Sequence, residues 1–148
     1  MEALSGDQII IEVENALEDE ESVSIHWHGL SMRGATDFDG AFGLTQEPIA
    51  AGNAFTYNFT IEPGQHGTFW YHAYDGMQRA DGLYGGLVAP TNAERSKIFD
   101  ERLCSRLETG LIDLPSKRSI SVSAPVRSRA GLKHVLLLTL IAIRRAPW

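Results

Sequence analysis

Apolar and polar residues alternate along several short stretches between Gln8 and Ala89, with the period of a β-strand, whose successive side chains point to opposite faces. The stretch "QIIIEVE", Gln8 to Glu14, opens on three isoleucines and then alternates, so it predicts a strand. Asn15 to Glu21 is an acidic turn, and Ser22 to His28 predicts the second strand. There Val23, Ile25 and Trp27 share one face, while Ser24, His26 and His28 share the other. In "AFTYNFTI", Ala54 to Ile61, the residues Phe55, Tyr57, Phe59 and Ile61 alternate with Thr56, Asn58 and Thr60, the clearest period of two in the chain. After the turn "EPGQHG", the stretch "TFWYHAY", Thr68 to Tyr74, places Trp70, His72 and Tyr74 on one face and Phe69, Tyr71 and Ala73 on the other. "LYGGLVA", Leu83 to Ala89, closes the series.

Short strands joined by Gly and Pro turns, with no helical period, predict an all-β antiparallel sandwich or barrel. Gly29 to Gly52 is a long connection rich in Gly and Asp; a loop of that length is usually functional or holds short pieces of structure. After Pro90 the alternation stops. "TNAERSKIFDERLCSRLETGL" has enough helix formers for a turn or two, and "PSKRSISVSAPVRSRAG" offers little to bury. There is no internal repeat.

Charge breaks at the same place. Residues 1 to 90 carry two basic residues, Arg33 and Arg79, against fourteen acidic ones, a net charge of −12, whereas residues 91 to 148 carry a net +6. Eleven of the thirteen aromatic residues lie in the first part. An acidic, aromatic front part offers no basic patch for nucleic acid. The single cysteine, Cys104, rules out an internal disulfide. "MEALSGDQIIIEVEN" lacks the basic stretch and apolar run of a signal peptide, and Val135 to Ile143 falls far short of the roughly 20 apolar residues that span a bilayer.

The candidate chemistry lies in three of the five histidines. His26 and His28 sit one residue apart on the face turned away from Val23, Ile25 and Trp27, and His72 is a third imidazole on a strand beside a tryptophan. Two readings stand open at this level: surface imidazoles on a half-exposed strand, or a metal site. Imidazole suits copper, zinc, iron and nickel, so the pattern points to a metal without naming one. Cupins also carry a strand-borne H-x-H, but with a glutamate a few residues later, and Gly29 to Ala35 holds none. The α-type carbonic anhydrases need a third histidine much nearer than His72.

The strings "HWHGLSMRG", the Asp39-Gly40 pair, "TQEPIAAGNAFTYNF", "GTFWYHAY" and "QRADGLYGGLV" resemble, in order and spacing, the first cupredoxin domain of multicopper oxidases, especially fungal laccases and ferroxidase-like enzymes. The resemblance runs from about Ser5 to Val88. It implies an incomplete Greek-key, cupredoxin-like β-sandwich over residues 1 to 90 and an unrelated segment over 91 to 148, expected to be irregular or weakly helical, disordered or out of frame. It also implies copper as cofactor, with His26 on a type 2 copper and His28 and His72 on type 3 coppers. These belong to a trinuclear cluster lying between the first and last domains of the family. Full-length relatives take electrons from phenols, amines or ferrous iron and reduce dioxygen to water. Two histidines about 6.6 Å apart along a strand suit two neighbouring ions better than one. The alternative is a noncatalytic β module that binds metal or docks onto a partner.

Several positions depart from the family. The second H-x-H of the motif reads His72-Ala73-Tyr74, so a phenol stands where a type 3 ligand is expected. Glu47 replaces the cysteine of "TQCPI". "MEALSGD" matches a segment internal to the family's domain, so Met1 is expected to be an internal methionine. The H-C-H motif that bridges type 1 copper to the cluster does not occur in these 148 residues, and Cys104 has no histidine neighbours. The chain alone is therefore expected to be inactive. His66 reads as a turn residue, His134 as incidental to an apolar run, and Asp81 and Tyr84 as turn residues or supports near the site. Asn58-Phe59-Thr60 is a glycosylation sequon, with meaning only in the secretory pathway.

Overall fold

The strand predicted from "QIIIEVE" forms as β1, Gln8–Glu14, and buries Ile9, Ile11 and Val13 while Glu12 and Glu14 remain exposed. The computed structural model describes residues 1–17, 20–80, 82–91, 93, 121–123 and 135–141. Four further strands come from the predicted stretches: β2 (Ile25–His28), β3 (Ala54–Thr60), β4 (Gly67–Ala73) and β5 (Tyr84–Ala89). Two more lie in the late segment, β6 (Ser121–Ser123) and β7 (Val135–Ile141).

The strands make two sheets, one in the order β3-β1-β7-β6 and one in the order β2-β4-β5. β1 pairs antiparallel with β3 and parallel with β7, and the three-stranded sheet is antiparallel throughout. The two layers fit the cupredoxin-like sandwich expected over the first ninety residues. Among the described residues of the late segment, Ser121–Ser123 and Val135–Ile141 are strands and Ala93 is helical. "VLLLTLI" is a short apolar run of strand length, and β1 offers it a free hydrogen-bonding edge. Cys104, His134 and the rest of that segment lie outside the described residues. No helix among the described residues is long and apolar enough to cross a membrane.

The core sits between the sheets and follows the alternation residue by residue. Trp27 of β2 is buried against Tyr57 and Phe59 of the facing sheet and against Tyr71 of its own, with ring centroids 5.4, 5.1 and 5.7 Å away. Val23, Ile25, Ile61, Leu83 and Leu87 complete the same cluster. The Tyr57 hydroxyl also accepts the Ile25 N–H at 2.8 Å, which satisfies a backbone donor at the start of β2. Burial pushes the Tyr57 pKa above its ordinary value, so the hydroxyl stays protonated.

The long connection is ordered by contact with β2. It contains a 3-10 turn, Thr36–Phe38, and returns to pair Ile49 with Val23 through two backbone hydrogen bonds of 2.8 and 3.0 Å. Buried Asn15 holds the same loop, donating to the carbonyls of Glu21 and Ile49. Gly40 lets the loop lie directly on the strand. Its φ is +78°, and a Cβ there would overlap the Ile25 carbonyl. That close approach brings Asp39 beside His26.

Candidate metal centre

Register places the three histidines together. In the β2–β4 ladder Trp27 faces Tyr71 and Ile25 faces Ala73 on the inward side; on the outward side His26 faces His72 and His28 faces Trp70. Directly opposed side chains on one face are near neighbours, so His72, 46 positions after His26 in the sequence, comes to lie against it. The imidazole centroids form a nearly equilateral triangle, 5.6 Å from His26 to His28, 5.4 Å from His26 to His72 and 5.7 Å from His28 to His72. One ligand nitrogen from each ring lies within 4.8 Å of the other two.

Hydrogen bonds settle which nitrogen is free on two of the rings. His26 Nδ1 lies 2.8 Å from the Asp39 carbonyl oxygen, and His72 Nδ1 lies 2.9 Å from the Ala73 carbonyl oxygen. A carbonyl can only accept, so each Nδ1 carries the proton and each Nε2 carries the lone pair. Such a bond fixes the tautomer and orients the ring, as partners of metal-bound histidines commonly do. The Asp39 carboxylate adds a contact of 3.4 Å to the same His26 nitrogen, which becomes an ion pair only when the imidazole is protonated.

The three sites differ in exposure. His28 is exposed, His26 is half-buried and His72 is buried. Burial holds the His72 pKa below the ordinary histidine value. The hydrogen bond to Ala73 opposes that lowering, and the positive charges of nearby His26, Arg79 and His28 add to it. His72 therefore stays neutral, the form that offers a lone pair, to lower pH than a free histidine does. Trp70 packs beside the ring, its centroid 4.3 Å from His72 and 5.1 Å from His28.

Every candidate ligand named from the sequence is present in this cluster. Tyr74 borders it, 47% exposed, with its ring centroid 5.8 Å from that of His26. His66 is exposed in its turn and stands outside the cluster, as its reading as a turn residue requires. Tyr84 is paired with His72 across β4 and β5, while Asp81 lies outside the described residues. The support from Asp39 was not assigned from sequence, because the contact is made by a backbone carbonyl that leaves no mark on residue type. The Asp39-Gly40 pair was the only visible trace.

Three clustered imidazoles, two of them held by carbonyl oxygens with Nε2 free, are a donor set for a borderline divalent ion such as copper or zinc. A profile of the multicopper oxidase family matches residues 1–93. Laccase-1 of Cryptococcus neoformans var. grubii is 45% identical over 104 residues, covering 68% of this chain and 16% of that protein. An L-ascorbate oxidase of Brassica rapa subsp. pekinensis is 49% identical over 86 residues, covering 58% of this chain and 15% of that protein. Among solved structures, Fet3p, a multicopper oxidase that functions in iron import, superposes with a TM-score of 0.59 at 34% identity over 68% of this chain and 18% of that one. The chain thus spans about a sixth of the length of these curated relatives. With the sandwich, the outward histidine triangle and the profile match in agreement, the chain belongs to the multicopper oxidase family, whose members bind copper.

Proposed function

We propose that this chain carries part of the trinuclear copper site of a multicopper oxidase, with His26 serving a type 2 copper and His28 and His72 serving type 3 coppers. The observation that supports this most is the convergence of the three ligand nitrogens within 4.8 Å on the face turned away from the core. Copper, when bound, supplies the one-electron chemistry that couples oxidation of a phenol, amine or ferrous ion to reduction of dioxygen. The chain's own residues hold and orient: Asp39 and Ala73 fix the tautomers of His26 and His72, and Trp70 walls one side of the triangle.

The 148 residues contain no H-C-H motif for a type 1 copper, and Tyr74 stands where the family's H-x-H pattern has its second histidine. These 148 residues by themselves therefore offer no route for electron entry, and on this reading they do not turn over alone. The test is to load the purified chain with copper and follow oxygen consumption with a phenolic substrate and with ferrous iron. Copper retention without turnover above the free-copper background is the expected result. Multi-turnover oxygen reduction would overturn the inactivity, and failure of the folded chain to retain copper would overturn the site.

A further inference from the structure

We infer that the chain by itself binds one divalent ion, copper(II) in preference to zinc(II), in a mononuclear three-histidine site made by His26, His28 and His72 together. This rests on the metal-binding reading of the same residues, but it departs from the division of those ligands among separate ions expected in an assembled oxidase.

The geometry carries it. Three donor atoms that all lie within 4.8 Å of one another fit inside a circle of radius about 2.8 Å, and metal–imidazole bonds are about 2.0–2.1 Å long. Each nitrogen then needs to advance by less than about 1 Å to share one ion, a displacement within reach of small side-chain rotations. Two rings are held with Nε2 free by Nδ1 bonds of 2.8 and 2.9 Å to carbonyl oxygens, so little ordering remains for the ion to impose on them. His28 makes the approach from the exposed side, where its ring can turn.

Dividing the same donors between two ions would leave at least one ion with a single protein ligand. Once one imidazole has bound, the other two reach the same ion at high effective concentration, and that advantage is lost when the ligands are divided. The additional histidines that hold a second ion in an assembled oxidase are not in this cluster. Copper(II) is preferred over zinc(II) because a nitrogen donor set follows the Irving–Williams order. Exposed Tyr74 lies beside this site, its ring centroid 5.8 Å from that of His26.

The experiment is metal stoichiometry on the full 148-residue chain, by titration with copper(II) and separately with zinc(II). Electron paramagnetic resonance of the copper-loaded form and visible absorption of a cobalt(II)-loaded form provide readouts other than activity. The expected result is one ion per chain, a single uncoupled copper(II) signal, and the intense visible bands of low-coordinate cobalt(II). Because the ion is shared, His26→Ala, His28→Ala and His72→Ala should each weaken it by more than about a hundredfold, beyond the 10–100-fold typical of residues that only hydrogen-bond a ligand. His66→Ala should leave it unchanged. Should His72→Ala fail to fold, exposed His28 still provides the test, since its removal disturbs no core contact. Two ions per chain, with one retained in His26→Ala, would overturn the shared site while leaving the metal reading intact. No stoichiometric binding by the folded chain would overturn both.

Discussion

The two faces of the β2–β4 ladder are made by neighbouring residues of the same two strands and obey different rules. On the inward face Ile25, Trp27, Tyr71 and Ala73 are all buried, and each position is decided by volume and apolarity. On the outward face His26, His28, Trp70 and His72 range from exposed to buried, and His26 and His72 are set by where a lone pair points. The strand's period of two lets one sequence satisfy both demands without conflict. Stability and chemistry should therefore separate by the parity of residue number, and substitutions on either face can break or sharpen that separation.

The largest effect is expected at the centre of the inward face. Trp27 touches Tyr57, Phe59 and Tyr71, and Trp27→Ala should cost about 3–5 kcal/mol, the range for removing a buried large aromatic side chain. Urea unfolding followed by circular dichroism measures it, and a loss under about 1 kcal/mol would mean that the sheets do not pack through this residue.

Gly40 joins the two faces, because its contact with the Ile25 carbonyl sets both the loop and the Asp39 carbonyl bonded to His26. Gly40→Ala should cost about 2 kcal/mol, since alanine is strained at positive φ and the backbone must shift. It should also weaken metal binding, although residue 40 is not a ligand. Unchanged affinity in a destabilised Gly40→Ala chain would show that Asp39 does not position His26.

Tyr74→His tests the outward face alone. The position is exposed and adjoins His26, so a fourth imidazole there should raise copper affinity at least about tenfold, or 1.4 kcal/mol, with little change in stability. Competition titration against a chelator reads it. Equal affinity in both chains would remove position 74 from the site's surroundings.

A smaller effect ties the faces through pH. The His72 pKa is held below its ordinary value by burial, so below about pH 6.5 the unfolded chain binds a proton there more readily than the folded chain. This histidine therefore makes stability fall as pH drops through the ordinary histidine value towards the lowered folded one. Metal-free unfolding at about pH 7.5 and about pH 5.5, either side of that ordinary value, measures the slope, and His72→Gln should flatten it. The smallest effect is at exposed His28, where His28→Ala should change metal-free stability by less than about 0.5 kcal/mol.

Strand identity and side-chain face were legible because both follow from a local period. β1 and the start of β3 fall where the alternation placed them, and the inward set Val23, Ile25 and Trp27 is buried as predicted. The ends were less legible. Val23 pairs with Ile49 outside the named strands, so β2 begins later than the alternation suggested, and nothing near Val23 announces a partner 26 positions away. The late strand Val135–Ile141 has the opposite cause: its apolar run was visible, but its fate depended on a free edge of β1 that the sequence does not display. At the site, residue types and face were readable, and the metal came from resemblance. The pairing of His26 with His72 and the tautomers fixed by Asp39 and Ala73 were not readable, since register and carbonyl direction are properties of the assembled sheet.

The outward histidines of this ladder, and not histidines in general, are the ones proposed to hold the metal. Nitrogen-15 spectra of the histidine rings during titration with diamagnetic copper(I) test it most directly, because each ring and each nitrogen reports separately. Nε2 of His26 and His72, together with one nitrogen of His28, should shift at one equivalent of metal, while Nδ1 of His26 and His72 remain protonated and His66 does not move. Shifts at His66 with His26, His28 and His72 unchanged would contradict it.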